Sequence, residues 1–157
     1  MENNMNYNFE ILGITRNNLL NAVKDLSMKD LHTIPKGFNN HIAWNFNHCV
    51  IVQQLLCYKL SGLEIDLDSE LIKRYSKGSA PTEEILEADF ELCKVLLVKN
   101  IHKIKEDYEK GIFKTYKEYS TSYNITLKCV EDAIRFNNVH EGLHFGYIMA
   151  LKRALEI

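Results

Sequence analysis

The stretch LEADFELCKVLLVKNIHKIKEDY, residues 86–108, carries the clearest structural signal in this chain. Its apolar residues recur in steps of three and four, the spacing of one face of a helix that packs against other helices. We expect Thr82 to cap this helix, with Glu83 and Glu84 in its first turn, and Gly111 to end it. The apolar face comprises Leu86, Phe90, Cys93, Leu97, Ile101, Ile104 and Tyr108.

Helical spacing marks three other segments, residues 7–26, 41–61 and 127–155. We expect Asn39 or Asn40 to cap the second helix of the chain, because a short polar side chain satisfies the free N–H groups of a first turn. No segment has convincing strand character. Four long amphipathic helices without strands predict an all-α protein, a four-helix bundle in a single domain.

The connections between these helices are also informative. Gly62 is expected to end the second helix, and Thr126 is expected to cap the fourth. Residues 28–31 are interpreted as a short turn. Residues 63–80 are too many for a tight helix hairpin and are expected to contain one short helix near residues 69–74.

The composition excludes several classes of protein. The chain has 157 residues, 46% apolar and 25% charged, with a formal net charge of −2, which suits one globular domain rather than a basic nucleic-acid binder. No apolar run approaches the ~20 residues of a membrane span, and residues 1–8 have no signal-peptide features. We therefore expect a cytoplasmic protein with reduced thiols. The cysteines, whose spacing fits no CxxC motif, are Cys49, Cys57, Cys93 and Cys129.

Two histidines on the last predicted helix are the strongest functional signal. His140 and His144 are four residues apart, so both lie on one face and could bind one metal ion. A hydrogen-bonded pair of core histidines would give the same pattern, so both interpretations stay open. Their face continues through positions expected to point inward, namely Val130, Ala133, Asn137, Leu151 and Leu155.

Residues 140–144, HEGLH, also match HExxH, the helix motif of zinc peptidases. The extended form of that motif needs a Gly and a third His, and this chain has Tyr147 and Ala150 at those positions. The other form needs a glutamate ligand from a later helix, and residues 145–157 are too few to supply one. A protease is therefore not expected.

A third metal ligand has to come from earlier in the chain. His41 and His48 share a face of the second helix but are about 10 Å apart along its axis, so they cannot bind one ion together. His48 lies near mid-helix, where a bundle is deepest, and is the preferred candidate. His41 is expected at the rim, His32 in a loop and His102 on the surface.

Several stretches resemble motifs of the DinB-like metalloprotein superfamily. Residues 42–48, IAWNFNH, resemble its second-helix motif, and residues 140–148, HEGLHFGYI, resemble its last-helix motif. Residues 26–31, LSMKDL, and residues 35–37, PKG, are similar to its lead-in to the second helix. After the last histidine the family often has Arg, Gly and Gln, whereas this chain has Phe, Gly and Tyr, so aromatic rings replace polar groups there.

The resemblance implies a bundle in which residues 63–80 form a long crossover and a metal is held by His48, His140 and His144. The implied cofactor is a divalent transition metal, zinc or nickel first, with iron or copper as alternatives, since such sites accept all four. Characterised members include transferases and isomerases that use low-molecular-weight thiols, and dimers are common among them.

Three histidines leave an ion with an open position, which is typical of catalytic sites. The sequence therefore predicts a metal-dependent enzyme acting on a small molecule, either a thiol-dependent S-transferase or a hydrolase. The alternatives are a non-catalytic metal- or ligand-binding stress-response module and an interaction protein with structural histidines. Glu141 is the candidate general base, with a salt-bridging role as its alternative. Asn45 and Tyr147 are candidates for the pocket wall or for simple packing, and Cys49 points to another face than His48.

A homodimer is also expected, with neither nucleic acid nor membrane as a partner. The second helix is apolar nearly all the way round, more than one core can cover. The excess would lie under the crossover or against a second subunit, and the resemblance favours the subunit. Ile11, Ile14 and Leu20 lie off the core face of the first helix and could join that contact.

Overall fold

The computed structural model describes residues 2–82 and 84–157, so Glu83 lies outside the described residues. The described residues form six α-helices, and the predicted all-α class is confirmed. These helices are α1 (Glu2–Val23), α2 (Met28–His32), α3 (Ile42–Cys57), α4 (Ser69–Tyr75), α5 (Glu87–Glu109) and α6 (Val130–Ala154). A 3-10 turn, Lys59–Ser61, follows α3, and the strands β1 (Tyr119–Ser120) and β2 (Thr126–Leu127) pair in antiparallel fashion.

The four long helices contact one another in cyclic order. Both α1 and α3 pack against α5 and α6, while the short helices α2 and α4 lie against α3. Two clusters of buried apolar side chains fill the space between the helices, and residues of the predicted apolar faces contribute to both. Representative members are Leu19, Phe46, Phe90 and Leu97 in one cluster and Phe9, Leu12, Ile104 and Ile134 in the other.

Helix α3 runs through the middle of this arrangement. All of its residues are buried except Val52 and Leu55, which are half-buried. Its apolar surface is therefore covered within one chain by α2, α4, α5 and α6. A second subunit is not needed to cover α3, and the homodimer stays a prediction. None of the described helices is both long and apolar enough to cross a lipid bilayer.

The start of the chain corrects two predicted boundaries. Helix α1 ends at Val23 rather than at residue 26. The segment interpreted as a turn forms α2, because Ser27 and Asp30 form a reciprocal capping box. The Oγ atom of Ser27 accepts the N–H of Asp30 at 3.1 Å, and Oδ2 of Asp30 accepts the N–H of Ser27 at 3.1 Å.

The cap of α3 is a histidine rather than an asparagine. The Nδ1 atom of His41 accepts the N–H of Trp44 at 3.0 Å, so the prediction of Asn39 or Asn40 was wrong. The helix ends at Cys57 and not at residue 61, since the last residues tighten into the 3-10 turn. Gly62 then stops the turn as predicted, with a left-handed φ of +73° that favours glycine.

The last two long helices begin later than predicted. Helix α5 starts at Glu87, so neither Thr82 nor Glu84 lies in it, and Leu86 occupies the capping position. Helix α6 starts at Val130, because Thr126 is in β2, where it pairs with Ser120. The prediction of a chain without strands therefore needs correction by one small hairpin.

Candidate metal centre

Three histidines from two helices meet at one point in the structure. His48 lies in the middle of α3, and His140 and His144 lie one turn apart on α6. One ligand atom from each lies within 4.8 Å of the other two, and the Nε2 atoms of His48 and His140 are 3.3 Å apart. Two nitrogen ligands of one tetrahedral ion are separated by about 3.3 Å when their metal bonds are ~2.0–2.1 Å. The structure thus brings the three predicted ligands together.

The ring of His48 is fixed from two sides. Its Nδ1–H donates to the carbonyl oxygen of Tyr75 at 2.6 Å, and the ring stacks on Trp44 with centroids 4.6 Å apart. The indole N–H of Trp44 donates in turn to Oγ of Ser79 at 3.1 Å. A neutral imidazole carries one N–H, so the bond to a carbonyl leaves a lone pair on Nε2, the atom that faces His140.

The carbonyl of Tyr75 is itself held in place by an ion pair between α4 and α5. Arg74 donates from Nε and Nη2 to the carboxylate of Asp89, at 2.7 and 3.0 Å. The hydroxyl of Tyr75 donates to the same carboxylate at 3.0 Å. Asp89 thereby fixes the end of α4, and through it the hydrogen-bond acceptor of His48.

Asn45 fixes the ring of His144. The Nδ2 group of Asn45 donates to Oδ1 of Asn40 at 2.8 Å and to the carbonyl oxygen of His41 at 2.9 Å. These two bonds set the orientation of the amide, so that its oxygen accepts the Nδ1–H of His144 at 2.8 Å. The Nε2 atom of His144 keeps its lone pair. Asn45 is therefore more than the packing or wall residue that the sequence suggested.

His140 supplies the observation that tests the fit to a metal. Its Nδ1 atom is buried and has no hydrogen-bond partner among the described residues, and its Nε2 faces the unprotonated Nε2 of His48. Buried polar atoms are nearly always paired, so the three rings do not satisfy one another. A cation bound by the facing Nε2 lone pairs fits their approach to 3.3 Å, and three imidazole nitrogens suit zinc, nickel, iron or copper.

Burial keeps these histidines in the form that binds metals. Removal from water, with a smaller effect of the neighbouring imidazoles, lowers the pKa of His140 to about 2 and that of His144 to about 3. Burial also lowers the pKa of His48, against the opposing effect of its bond to Tyr75. All three are neutral at pH 7, and neutral imidazole is the ligand form.

Glu141 lies between two of these histidines in sequence, but its carboxylate points into the core. It is fully buried and accepts from Nη2 of Arg16 at 2.7 Å, from Nε of Arg16 at 3.0 Å and from Nδ2 of Asn137 at 2.7 Å. Arg16 also donates to the carbonyl of Leu97 at 2.8 Å. The structure shows the salt-bridging role predicted as the alternative to a general base.

The other histidines lie away from this centre. His41 is only 3% exposed, so its predicted place at the rim was wrong, and burial lowers its pKa to about 4. The reason is that α2 folds over the start of α3, with the rings of His32 and His41 4.9 Å apart. His32 belongs to α2 rather than to a loop, and His102 is exposed as predicted.

The cysteines and Tyr147 have structural roles. All four cysteines are free thiols, as predicted. Burial raises the pKa of Cys49 well above its usual value, which removes thiolate chemistry there. The ring of Tyr147 packs edge-on against Phe38 with centroids 5.6 Å apart, so of its two suggested roles it has the packing one.

A cavity of about 430 Å³ leads to the three histidines. Its walls are mostly apolar, and one side of it is the hairpin that the sequence did not predict. Tyr123 of the hairpin packs edge-on against Phe136 of α6, with centroids 5.6 Å apart. The apolar lining comprises Val52, Leu55, Leu56, Leu60, Phe136 and Leu143. The arrangement can hold an ion in the wall of a pocket large enough for a small organic molecule.

Comparison with known proteins agrees with this geometry. A search of curated proteins finds no match. The family model of the DinB superfamily matches residues 11–148, which include α3, the hairpin and all three histidines. The match covers well over half of the 157 residues, and the chain therefore belongs to the DinB superfamily.

Proposed function

We propose that this protein is a metal-dependent S-transferase, which joins a small thiol through its sulfur to a small electrophile. The observation that carries the proposal is that His48, His140 and His144 meet at one point and line an apolar cavity. The ligand set would hold one divalent transition metal, zinc or nickel in the first place. Such an ion keeps an open position and lowers the pKa of a thiol or water that binds there.

The residues of the chain have distinct parts in this reaction. The Tyr75 carbonyl and the Asn45 amide keep two of the rings in their ligand tautomers. The apolar walls exclude water around the reacting atoms. In the transfer the thiol gives its proton to solvent, its sulfur forms a bond to carbon, and the leaving group departs with the electron pair of the broken bond.

Sulfur is favoured over water as the nucleophile for two reasons. A thiolate is less strongly hydrated than hydroxide and fits the apolar lining of this cavity better. Hydrolysis also benefits from a carboxylate that removes the proton of water, and Glu141, the carboxylate next to the ligands in sequence, is bound to Arg16 and Asn137.

The test uses zinc-loaded and nickel-loaded protein with monochlorobimane as the electrophile and cysteine, coenzyme A or glutathione as the thiol. We expect a thioether product whose rate depends on the thiol, on metal and on His144, with His102→Ala as the surface control. Product formed by water without any thiol would identify a hydrolase instead. Bound metal without turnover of this or any related electrophile would identify a binding module.

A further inference from the structure

We infer that the cavity in front of the histidines selects small molecules with an apolar body and an anionic group, and that Lys59 and Lys77 bind the anionic group at the rim. The inference rests on the proposed function, because it names the substrate class of the same site. It concerns residues outside the metal centre, so it can be tested separately from turnover.

The two lysines reach the cavity from different parts of the fold. Lys59 begins the 3-10 turn after α3, and Lys77 lies in the loop that follows α4. Both line the cavity and both are exposed to solvent. Two cations that line one cavity both attract an anion that enters it.

Neither lysine has a salt-bridge partner among the described residues. Five other lysines are instead paired with an acid three or four residues away along the chain. The paired lysines are Lys73, Lys94, Lys103, Lys105 and Lys110. The positive charge at this cavity is therefore free to bind a ligand, whereas the charge of the paired lysines is already compensated.

The charge at this cavity also differs from that of the other large cavities. The cavity between α1 and the end of α5 has Lys114 beside Glu109 and Glu131. Another near α5 has Lys99 and Lys103 beside Glu64 and Asp66. Among the described residues, the cavity at the histidines is lined by lysines without any carboxylate, in a chain whose net charge is −2. An anionic ligand is the one that this local excess of positive charge attracts.

The interior of the cavity determines the chemical character of the part of the ligand that does not carry the charge. Apart from the lysines and histidines, the lining is mostly leucine, valine and aromatic side chains, with Thr121 and Ser122 from the hairpin. A compact inorganic anion would leave this surface in contact with water, whereas an alkyl or aryl carboxylate covers it and places its charge at the lysines. The volume of about 430 Å³ is sufficient for such a molecule.

The test compares two probes of the same shape, 4-phenylbutanoate and its neutral amide, by calorimetric titration of zinc-loaded protein. We expect the carboxylate to bind about tenfold more tightly than the amide, since each exposed ion pair is worth up to about a fivefold change in affinity. The preference should shrink with added salt. It should disappear in the double variant Lys59→Met/Lys77→Met and persist in Lys59→Arg/Lys77→Arg and in the control Lys73→Met.

The same titration of metal-free protein shows whether the lysines or the metal ion bind the anionic group. If the inference holds, the preference for the carboxylate survives removal of zinc. A preference that disappears with zinc and survives in the double Met variant would overturn the inference and assign the anion to the metal. Equal affinity for the two probes in the unaltered protein, or no binding of either, would also overturn it. Metal content and turnover, measured on the same samples, report on the proposed function independently.

Discussion

Asn45 holds His144 through one hydrogen bond, with 2.8 Å between the amide oxygen and Nδ1. Replacing Asn45 with Leu removes this acceptor and frees the ring to rotate or change tautomer. We expect metal affinity to fall about 10- to 100-fold, the usual cost of losing such a partner. Competition with a chromophoric chelator measures it. Asn45→Asp, which keeps an acceptor, should lose less metal affinity. Asn18→Leu, at an exposed position of α1, should lose none. Equal losses of affinity in Asn45→Leu and Asn18→Leu would contradict the role of Asn45.

The buried histidines predict how the metal-free protein responds to acid. Their folded pKa values, about 2 for His140 and about 3 for His144, lie below the ~6.5 of an unfolded histidine. The unfolded chain therefore binds more protons below pH 6.5, so stability is lost as the pH falls through that value.

The measurement is the urea midpoint of metal-free protein between pH 6.5 and 5, a window above most carboxyl titration. We expect the midpoint to fall across this window. The slope should be smaller in His140→Leu, which has one buried histidine fewer. An equal midpoint at both pH values would show that the rings are not held neutral by burial.

At the scale of helices, Arg16 and Glu141 connect α1 to α6 through a buried ion pair. Arg16→Met leaves the carboxylate buried without its cation, which costs about 3–5 kcal/mol of unfolding free energy. Arg135→Met, which breaks an exposed pair with Asp132, should cost about 0–1 kcal/mol. Urea unfolding gives both values.

A second variant separates the loss of pairing from the loss of packing. Arg16→Met/Glu141→Leu removes both charges and should recover much of the stability that Arg16→Met loses, because replacing a buried pair with apolar groups is often neutral. An Arg16→Met protein as stable as the unaltered one would mean that the pair does not hold α1 to α6.

Helix positions follow from the sequence because burial repeats with the helical period. In α5, the predicted residues Phe90, Cys93, Leu97 and Ile104 are buried. Helix ends are harder to predict, since the capping group depends on tertiary position: His41 caps α3 because α2 covers it. The hairpin was missed because strands of two residues are too short to show alternation.

The site residues divide in the same way, into those that sequence spacing predicts and those that depend on the tertiary fold. The spacing of His140 and His144 places them on one face without reference to the fold, and mid-helix depth favours His48. The acceptor of His48 is a backbone carbonyl at the end of α4, which no side-chain pattern reveals. The ion pair of Arg16 could have been predicted from the sequence. Arg16 lies between Leu12 and Leu19 on the buried face of α1, where an unpaired charge would be unstable.

For the whole molecule, the homodimer is a prediction that α3 no longer supports, since α3 is buried within its own chain. Three apolar side chains remain about half exposed on the surface of two adjacent helices, Ile14 on α1 and Val139 and Met149 on α6. We expect light scattering to give about twice 18.3 kDa at micromolar concentration, because covering this surface is favourable. Met149→Lys should weaken the association, and a mass of 18.3 kDa at all concentrations would refute it.

Metal content of the untagged protein tests the central claim most directly. Elemental analysis of protein purified without chelators should find about one divalent transition ion per chain, as expected for one three-histidine site. His48→Ala, His140→Ala and His144→Ala should each lose most of the ion, and exposed His102→Ala should keep it. A folded protein that carries no metal after incubation with zinc or nickel, or a His48→Ala variant that binds as much as the unaltered protein, would contradict the account.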